Sequence, residues 1–244
     1  MAWAAPRTWQ PARTLKSTMQ LYLIRHAESE NNAMPPYQRI EDPAITPRGR
    51  LQSEYLAKWT STLAIDTLIT SPFRRSIQTT RFIVDQSPQC VHVWHNVFER
   101  GGCFRGHGPD ATEGGPGMGR ESIEKEFSAL PHDCIIDETI TSAGWWAGNR
   151  RETDDQANTR AEVVTERLIQ SFGASGKTIV AVIHADFKRC LLAKMLSQVT
   201  DVEKVGAFVN TGITKLEFDG HSWKLHWLNS ASHLPSRLVT GIET

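Results

Sequence analysis

The segment LYLIRHAESENN, residues 21–32, decides the predicted fold class. Its first four residues form a short apolar run that is typical of a buried strand, and charged and polar residues follow at once. Two later stretches repeat this pattern: residues 67–70 precede Ser71, and residues 178–183 (TIVAVI) precede His184. Segments with helical features lie between these strands. The alternation predicts an α/β fold, a three-layer α/β/α sandwich with a mainly parallel central sheet.

Cap residues predict where the helices begin. Thr46-Pro47 combines an N-cap residue with a proline at the first helical position, and it predicts a helix to about residue 59. Ser71-Pro72 repeats this signal before the next helix. A capping box at residues 153–156 predicts a helix that ends near residue 172, at Gly173. The chain finishes with a predicted helix over 185–197 and a hairpin of strands 213–218 and 223–228.

We predict a single domain over residues 19–244 with an insertion at about 101–151. The stretch from Gly101 to Gly119 holds eight of the 17 glycines and has almost no periodicity, which is typical of a lid or a binding loop. Trp145 and Trp146 lie in the same insertion, and we expect them to pack it rather than to wall the site. Residues 1–18 have basic but no acidic side chains; we favour a flexible extension over an organellar transit peptide.

The composition excludes several classes of protein. The chain has 27 Lys+Arg and 27 Asp+Glu, so its net charge is zero, whereas a dedicated nucleic-acid-binding protein carries a basic surplus. No apolar run is long enough to span a bilayer. The four cysteines are widely spaced without a C-x-x-C pair, which favours reduced thiols. We therefore expect a cytoplasmic protein with no nucleic-acid or membrane partner; the oligomeric state is left open.

One cluster of three residues, Cys90, His92 and His95, resembles a set of metal ligands. Residues 91–97 have the pattern of a strand, in which successive side chains point to opposite faces. His95 would then face away from the other two side chains. We predict no metal site here.

Basic side chains come together at the carboxyl ends of the predicted strands. Arg25 and His26 follow the first strand, Arg75 comes shortly after the second, and His184 follows the strand that ends at residue 183. Ligands of open α/β sheets bind at this edge. Glu99 adds an acid where residues 97–100 end a further strand. A neutral protein that gathers cations at one concave rim is predicted to bind a small anion.

These segments resemble the motifs of the histidine phosphatase superfamily, which includes the cofactor-dependent phosphoglycerate mutases. LIRHAESENN is similar to the nucleophile motif, although RHG is commoner there than the RHA of this chain. SPFRRSIQTT is similar to the second-arginine motif, FER to the acid motif and VIHAD to the second-histidine motif. The resemblance covers about residues 20–234 in the family's order.

The resemblance implies a phosphatase that forms a phosphohistidine. His26 is the implied nucleophile, and the implied phosphate clamp consists of Arg25, Arg75 and His184. Glu99 would protonate the leaving alkoxide and then take a proton from water. No metal or other cofactor is expected, because positioning and charge stabilisation dominate phosphoryl transfer.

Substrate binding is assigned to Asn32, Arg100 and Ala185. Asn32 would add a neutral donor to the clamp. Arg100 fits a contact with an anionic part of the substrate and an ordinary surface salt bridge equally well. The expected partner is a small phosphorylated metabolite; sugar phosphates, phosphoglycolate-like acids, nucleotides and phosphoproteins all remain open.

Two other functions remain as alternatives. A phosphoglycerate mutase would carry an N-x-F-x-G-W-type segment and an ERHYG motif, but this chain has Ala33–Tyr37 and the residues ERGGC at 99–103. A phosphate-binding scaffold without turnover would not need a leaving-group acid such as Glu99. We therefore predict a metal-independent phosphomonoester hydrolase.

Overall fold

The computed structural model describes residues 18–106, 108, 110–128, 134–196 and 202–241. The strands are β1 (Met19–Arg25), β2 (Thr67–Thr70), β3 (Val91–Val93), β4 (Cys134–Ile136), β5 (Thr178–Ile183), β6 (Ile213–Phe218) and β7 (Trp223–Ser230). The α-helices are α1 (Glu30–Ala33), α2 (Pro47–Thr60), α3 (Arg74–Gln86), α4 (Arg120–Phe127), α5 (Asp154–Phe172) and α6 (Ala185–Met195). Short 3₁₀ helices lie at Pro36–Gln38, His95–Val97, Val202–Lys204 and Ser236–Leu238. The predicted N-terminal extension, apart from Thr18, and residue 197 of the last predicted helix lie outside the described residues.

The strands form one mainly parallel sheet, which confirms the predicted fold class. Its strand order is β4-β3-β2-β5-β1-β6-β7. Pairing is parallel from β4 through β1 and antiparallel for β6 and β7. β5 lies between β1 and β2, so the carboxyl ends of these three strands are adjacent. This is the edge at which the site residues were predicted to meet.

Alternating side chains of the central strands build a core on each face of the sheet. On β1, Leu21 and Leu23 belong to one apolar cluster, and Tyr22 and Ile24 belong to the other. The first cluster is completed by side chains of α5 and α6, and the second by side chains of α2, α3 and α4. Helices therefore cover both faces, as the three-layer prediction requires.

Several predicted element boundaries are confirmed. β2 and β5 have the predicted limits, and α2 begins after Thr46, whose hydroxyl accepts a hydrogen bond from the Gly49 backbone N–H. The capping box of Thr153 and Gln156 opens α5, which ends before Gly173. The terminal hairpin is present, with β7 two residues longer than predicted. Within the described residues, no helix is long and apolar enough to cross a bilayer.

The predicted cap at Ser71-Pro72 is wrong. α3 begins at Arg74, and the Ser71 hydroxyl lies 2.7 Å from Nε2 of His184 instead of capping the helix. A carboxylate from elsewhere in the chain replaces the local cap, because the Arg74 backbone N–H donates to Oδ1 of Asp42 at 2.9 Å. A partner 32 residues away cannot be recognised from a local cap pattern.

The strand predicted over residues 91–97 is also wrong beyond Val93. Residues 95–97 form a 3₁₀ helix because the backbone N–H of His95 donates to the Asp137 carboxylate at 2.9 Å rather than to a neighbouring strand. The His95 ring is hydrogen-bonded to the Trp145 carbonyl at 2.8 Å. Glu99 therefore follows a turn and not a strand end.

Residues 101–151 contain regular structure that the sequence pattern did not indicate. They include α4 and β4, and β4 extends the central sheet at its edge. Both tryptophans are buried, in line with the predicted packing. The glycines make room for these rings: a Cβ on Gly102 would lie 2.4 Å from the Trp146 ring, and one on Gly117 would lie 2.3 Å from Nε1 of Trp145. The assignment of this segment as an insertion in one domain stays a prediction.

Gly49→Ala tests the close contact between α2 and the loop that follows β1. A Cβ at residue 49 would lie 2.2 Å from the Glu28 carbonyl oxygen, so we expect the substitution to lower the free energy of unfolding by roughly 1–3 kcal/mol. Urea denaturation measures this change. Gly206→Ala is the matched control, because nothing lies within 4 Å of its Cβ position, and it should leave stability unchanged or slightly raised. Equal stabilities of the two variants would contradict the packing described.

Candidate active site

His26 lies directly after β1, where two hydrogen bonds fix the state of its imidazole. Nδ1 lies 2.7 Å from the Ala27 carbonyl oxygen, and Nε2 lies 3.1 Å from Nε of Arg75. A carbonyl can only accept a hydrogen bond and a guanidinium can only donate one. The proton is therefore on Nδ1, and Nε2 carries the lone pair. Nε2 is the nitrogen with nucleophilic capacity.

The surroundings of His26 also keep its ring neutral. Burial lowers its pKa well below the usual value, and the positive charges of Arg75 and Arg25 lower it further. The side chain is only 3% exposed. At neutral pH the imidazole is thus unprotonated at Nε2, which is the form that a nucleophile requires.

Arg75 is held in the first turn of α3 and is almost fully buried. Its guanidinium lies 3.8 Å from the centroid of the Phe73 ring. Burial lowers its pKa, while the negative charges of Asp42 and Glu99 raise it. Phe73 also makes an edge contact with the His184 ring, with centroids 4.9 Å apart. One aromatic ring therefore supports two of the predicted site residues.

Arg25, the last residue of β1, is the second buried cation. Its backbone N–H donates to the Gly212 carbonyl at 3.3 Å, and its guanidinium donates to the Phe208 carbonyl. Burial lowers the Arg25 pKa to about 10, with Glu99 and Asp186 acting in the opposite direction. The group remains charged at neutral pH. Positive charge thus lies near His26 from β1 as well as from α3.

His184 follows β5 and faces His26 across the sheet edge, with ring centroids 5.1 Å apart. The hydroxyl oxygens of Ser71 and Ser76 lie 2.7 and 3.4 Å from its Nε2. Burial, followed by the charge of Arg75, lowers the His184 pKa well below its usual value. The second histidine is therefore also neutral at pH 7.

Glu99 contacts the N-terminus of α6. Its carboxylate accepts hydrogen bonds from the backbone N–H groups of Phe187 at 2.9 Å and Arg100 at 2.8 Å. Burial raises the Glu99 pKa, and the nearby Asp186 carboxylate raises it further, against the lowering effects of Arg75 and these hydrogen bonds. A carboxyl group with a raised pKa retains a larger protonated fraction near neutral pH. It is suited to donate a proton and then to accept one.

The three residues assigned to substrate binding have different surroundings. Asn32 is tied to the site because its Oδ1 accepts from the Asn210 amide at 3.1 Å, and the same amide group donates to the His26 carbonyl. Ala185 is the first residue of α6 and adjoins His184. Arg100 lies 3.8 Å from the Asp154 carboxylate and 3.9 Å from the Asp186 carboxylate at the surface. The surface salt bridge considered for Arg100 is thus present.

Sequence reasoning missed several residues that shape the site. The Ser71-Pro72 pattern predicts a helix cap and not the contact of Ser71 with His184, and no pattern links Asp42 to α3. Lys188 lies on the apolar face of α6, so the helical pattern alone assigns it to the core without a role. A lysine at a core position is itself a signal of a specific contact, because lysine is rarely buried. No sequence pattern assigns a role to Asn210, whose amide contacts the His26 carbonyl and Asn32.

Three buried polar atoms around the site have no hydrogen-bond partner within the described residues. They are Nε of Arg25, Nδ1 of His184 and Oδ2 of Asp42. Buried polar groups without partners cost free energy and are uncommon in folded proteins. Nε of Arg25 is a donor, so it is suited to receive an oxyanion. Burial raises the Asp42 pKa to about 6, so its carboxyl group is partly protonated in mildly acidic solution.

No metal-binding cluster is found in the part of the chain that the structure describes. No three His, Cys, Asp or Glu side chains lie close enough together there to hold a metal ion. The Cys90 sulfur lies 3.9 Å from Nε2 of His92, and His95 contacts the Trp145 carbonyl instead. None of the four cysteines forms a disulfide.

Comparison with known proteins identifies the family. The model of the histidine phosphatase superfamily (branch 1) matches residues 21–231, which is most of the chain. Among curated relatives, phosphoserine phosphatase 1 of Hydrogenobacter thermophilus is 39% identical over 61 residues, which is 25% of this chain. The match spans about 29% of the length of that relative.

Solved structures share the fold at low identity. A phosphoserine phosphatase variant of Entamoeba histolytica in complex with phosphoserine has a TM-score of 0.58 and 23% identity, covering 89% of this chain and 100% of that chain. A phosphoglycerate mutase of Bacillus anthracis has a TM-score of 0.63 and 16% identity, covering 90% and 96%. Identities this low support the fold and not a particular activity.

Arg75→Met tests the electrostatic control of His26. The substitution removes a positive charge and the donor to Nε2, both of which favour the neutral ring, so we expect the His26 pKa to rise. Nitrogen chemical shifts of labelled histidine across a pH titration measure both the pKa and the tautomer. Arg81→Met is the control on the same helix. Arg81 pairs with Asp85 and donates to the Glu126 carbonyl, with no contact to the site, so its loss should leave the His26 pKa unchanged. An unaltered His26 titration in Arg75→Met would refute the assignment.

Proposed function

This chain belongs to the histidine phosphatase superfamily, and we propose that it is a metal-independent phosphomonoester hydrolase with a phosphohistidine intermediate on His26. One observation carries the proposal: a neutral imidazole with its lone pair on Nε2, held between the Ala27 carbonyl and the Arg75 guanidinium. A site for binding alone has no need of a nucleophile prepared in this way. The buried cations beside it suit a phosphate dianion.

The proposed reaction has two steps. His26 Nε2 attacks phosphorus, the bond from phosphorus to the ester oxygen breaks, and the Glu99 carboxyl group gives its proton to the leaving alkoxide. Water then attacks the phosphohistidine while the Glu99 carboxylate takes a proton from it, which releases orthophosphate and restores neutral His26. Arg25, Arg75 and His184 hold the phosphate oxygens, and Asn32 adds a neutral donor to this clamp. Arg100 and Ala185 lie nearer the rest of the substrate.

The same residue, Glu99, can serve both steps because its surroundings balance each other. Burial and Asp186 favour its protonated form, whereas Arg75 and two backbone N–H donors favour the carboxylate. Such a balance brings the pKa of a general acid–base closer to the working pH. The arginines already offset the charge of the transferring group, so the proposal assigns no metal or other cofactor.

A small phosphorylated metabolite in the cytoplasm is the proposed substrate. The phosphoserine phosphatase relative makes phosphoserine the first compound to test. A mutase is kept as the alternative because a phosphoglycerate mutase shares this fold, which by itself does not decide between the two activities. Against it, Gly101 and Gly102 follow Glu99-Arg100 with φ of 93° and 77°, and offer no side chain to a phosphoglycerate.

Rapid-quench experiments test the nucleophile. Labelled substrate should leave an acid-labile, base-stable phosphoenzyme on the wild-type protein and none on His26→Ala. His221→Ala, a change at a surface turn, should retain the label. Label that persists on His26→Ala would disprove the nucleophile assignment.

Glu99→Gln tests the general acid. With an alkyl ester such as phosphoserine the leaving alkoxide needs a proton, so kcat/KM should fall by roughly 10²–10⁴-fold. With 4-nitrophenyl phosphate the leaving group is weakly basic, and the loss should be much smaller. Glu124→Gln, in a surface pair with Arg120, is the control and should behave as wild type. Equal losses with both substrates would contradict the acid role.

Incubation with 3-phosphoglycerate separates hydrolase from mutase. We expect slow release of orthophosphate or none, and no appreciable 2-phosphoglycerate. Efficient isomerisation, followed by phosphorus NMR, would assign the protein to the mutase alternative.

A further inference from the structure

Lys188 is fully buried on α6, four residues after His184, and the proposed reaction does not use it. An ammonium group is rarely buried unless it is paired, because its removal from water costs several kcal/mol. Within the described residues no carboxylate lies at ion-pair distance from it. Burial and the charge of Arg25 lower its pKa well below the usual value. We therefore expect the buried Lys188 ammonium to make a contact that offsets this free-energy cost.

Lys188 contacts both ends of one short turn. Its Nζ donates to the Gly212 carbonyl at 3.1 Å and lies 4.3 Å from the centroid of the Phe208 ring. We call residues 208–212, which lead into β6, the 208–212 turn. Thr211 within it has a φ of 55°, a left-handed conformation that is unfavourable for a β-branched residue. The turn therefore needs external support.

The same two ends of the turn hold Arg25. The Gly212 carbonyl accepts the Arg25 backbone N–H, and the Phe208 carbonyl accepts its guanidinium. Between them, the Asn210 amide donates to the His26 carbonyl at 3.2 Å. The Gly212 carbonyl thus accepts two hydrogen bonds. The one from the Arg25 backbone is long, at 3.3 Å, and the one from Lys188 is shorter, at 3.1 Å, so Lys188 is the stronger partner of this carbonyl.

We propose that Lys188 is a positioning residue that sets the Arg25 guanidinium for phosphate binding, acting through the 208–212 turn. The proposal rests on the proposed function, because it gives Arg25 a phosphate to bind. Lys188 does not touch the substrate. It holds the Gly212 carbonyl and the Phe208 ring in place. The Phe208 carbonyl, at the other end of the turn, then fixes the direction of the Arg25 guanidinium.

Affinity for orthophosphate provides the readout, because a role limited to stability would not change it in folded protein. Lys188→Met keeps the length and apolar stem but removes the donor, and we expect orthophosphate to bind about tenfold more weakly by calorimetry. KM for 4-nitrophenyl phosphate should rise in parallel, with a smaller change in kcat. Lys188→Gln retains an N–H donor and should recover part of the affinity.

Arg189→Met is the matched control on the same helix. Arg189 donates to the carbonyls of Val202 and Val205, outside the 208–212 turn, although its guanidinium lies 5.2 Å from the Phe208 ring. Its loss should lower stability in urea without changing orthophosphate affinity. If Lys188→Met does not fold, Phe208→Leu replaces it, since loss of the ring under the ammonium should weaken binding in the same direction.

The proposal would be overturned if folded Lys188→Met bound orthophosphate as tightly as wild type and had the same KM. The same result in Phe208→Leu would overturn it where that variant is used instead. So would an equal loss of affinity in Arg189→Met. Wild-type protein that binds orthophosphate but hydrolyses no ester would contradict the proposed function alone, and the comparison of affinities would still decide the role of Lys188. Wild-type protein that does not bind orthophosphate would contradict both.

Discussion

The site depends on the placement of one imidazole between an acceptor and a donor. The Ala27 carbonyl fixes the proton of His26 on Nδ1, and Nε of Arg75 approaches Nε2 at 3.1 Å. The Ala27 contact selects the tautomer, and the Arg75 contact, together with burial, selects the neutral ring with its lone pair directed toward Arg75. A protonated ring would place a third positive charge next to two buried guanidinium groups in a region of low dielectric. The burial of His26 and the charge of Arg25 further favour the neutral imidazole.

α3 connects the His26 site to the surrounding fold. Its Thr79 hydroxyl accepts the Ala27 backbone N–H at 3.1 Å, and its Gln78 side chain accepts the backbone N–H of Ile45 at 2.9 Å. Asp42 caps its first turn. The helix that supplies Arg75 therefore also fixes the loop after β1 and the approach to α2.

A net charge of zero for the whole chain is compatible with a strongly cationic site, because acidic residues elsewhere in the chain offset the charge of the buried arginines.

The sequence predicted the fold class and the convergence of His26, Arg75 and His184 at one edge of the sheet, because both depend on short-range patterns. Apolar runs identify β1, β2 and β5, and the polar residues that follow them converge wherever parallel strands are neighbours. Prediction was wrong where a distant partner decided the structure. Asp42 replaced Ser71 as a cap, and Asp137 ended β3 before His95. The lysine on the apolar face of α6 indicates that Lys188 is buried, but its partner is a main-chain carbonyl, which no sequence pattern identifies.

Stereochemistry at phosphorus tests the central claim most directly. An ester whose phosphate is made chiral with oxygen isotopes or sulfur can be hydrolysed in isotopically labelled water and the product configuration determined. Transfer to His26 and then to water comprises two in-line displacements, each with inversion, so the account predicts net retention. Net inversion would mean that water attacks the ester directly, and it would contradict the role given to His26.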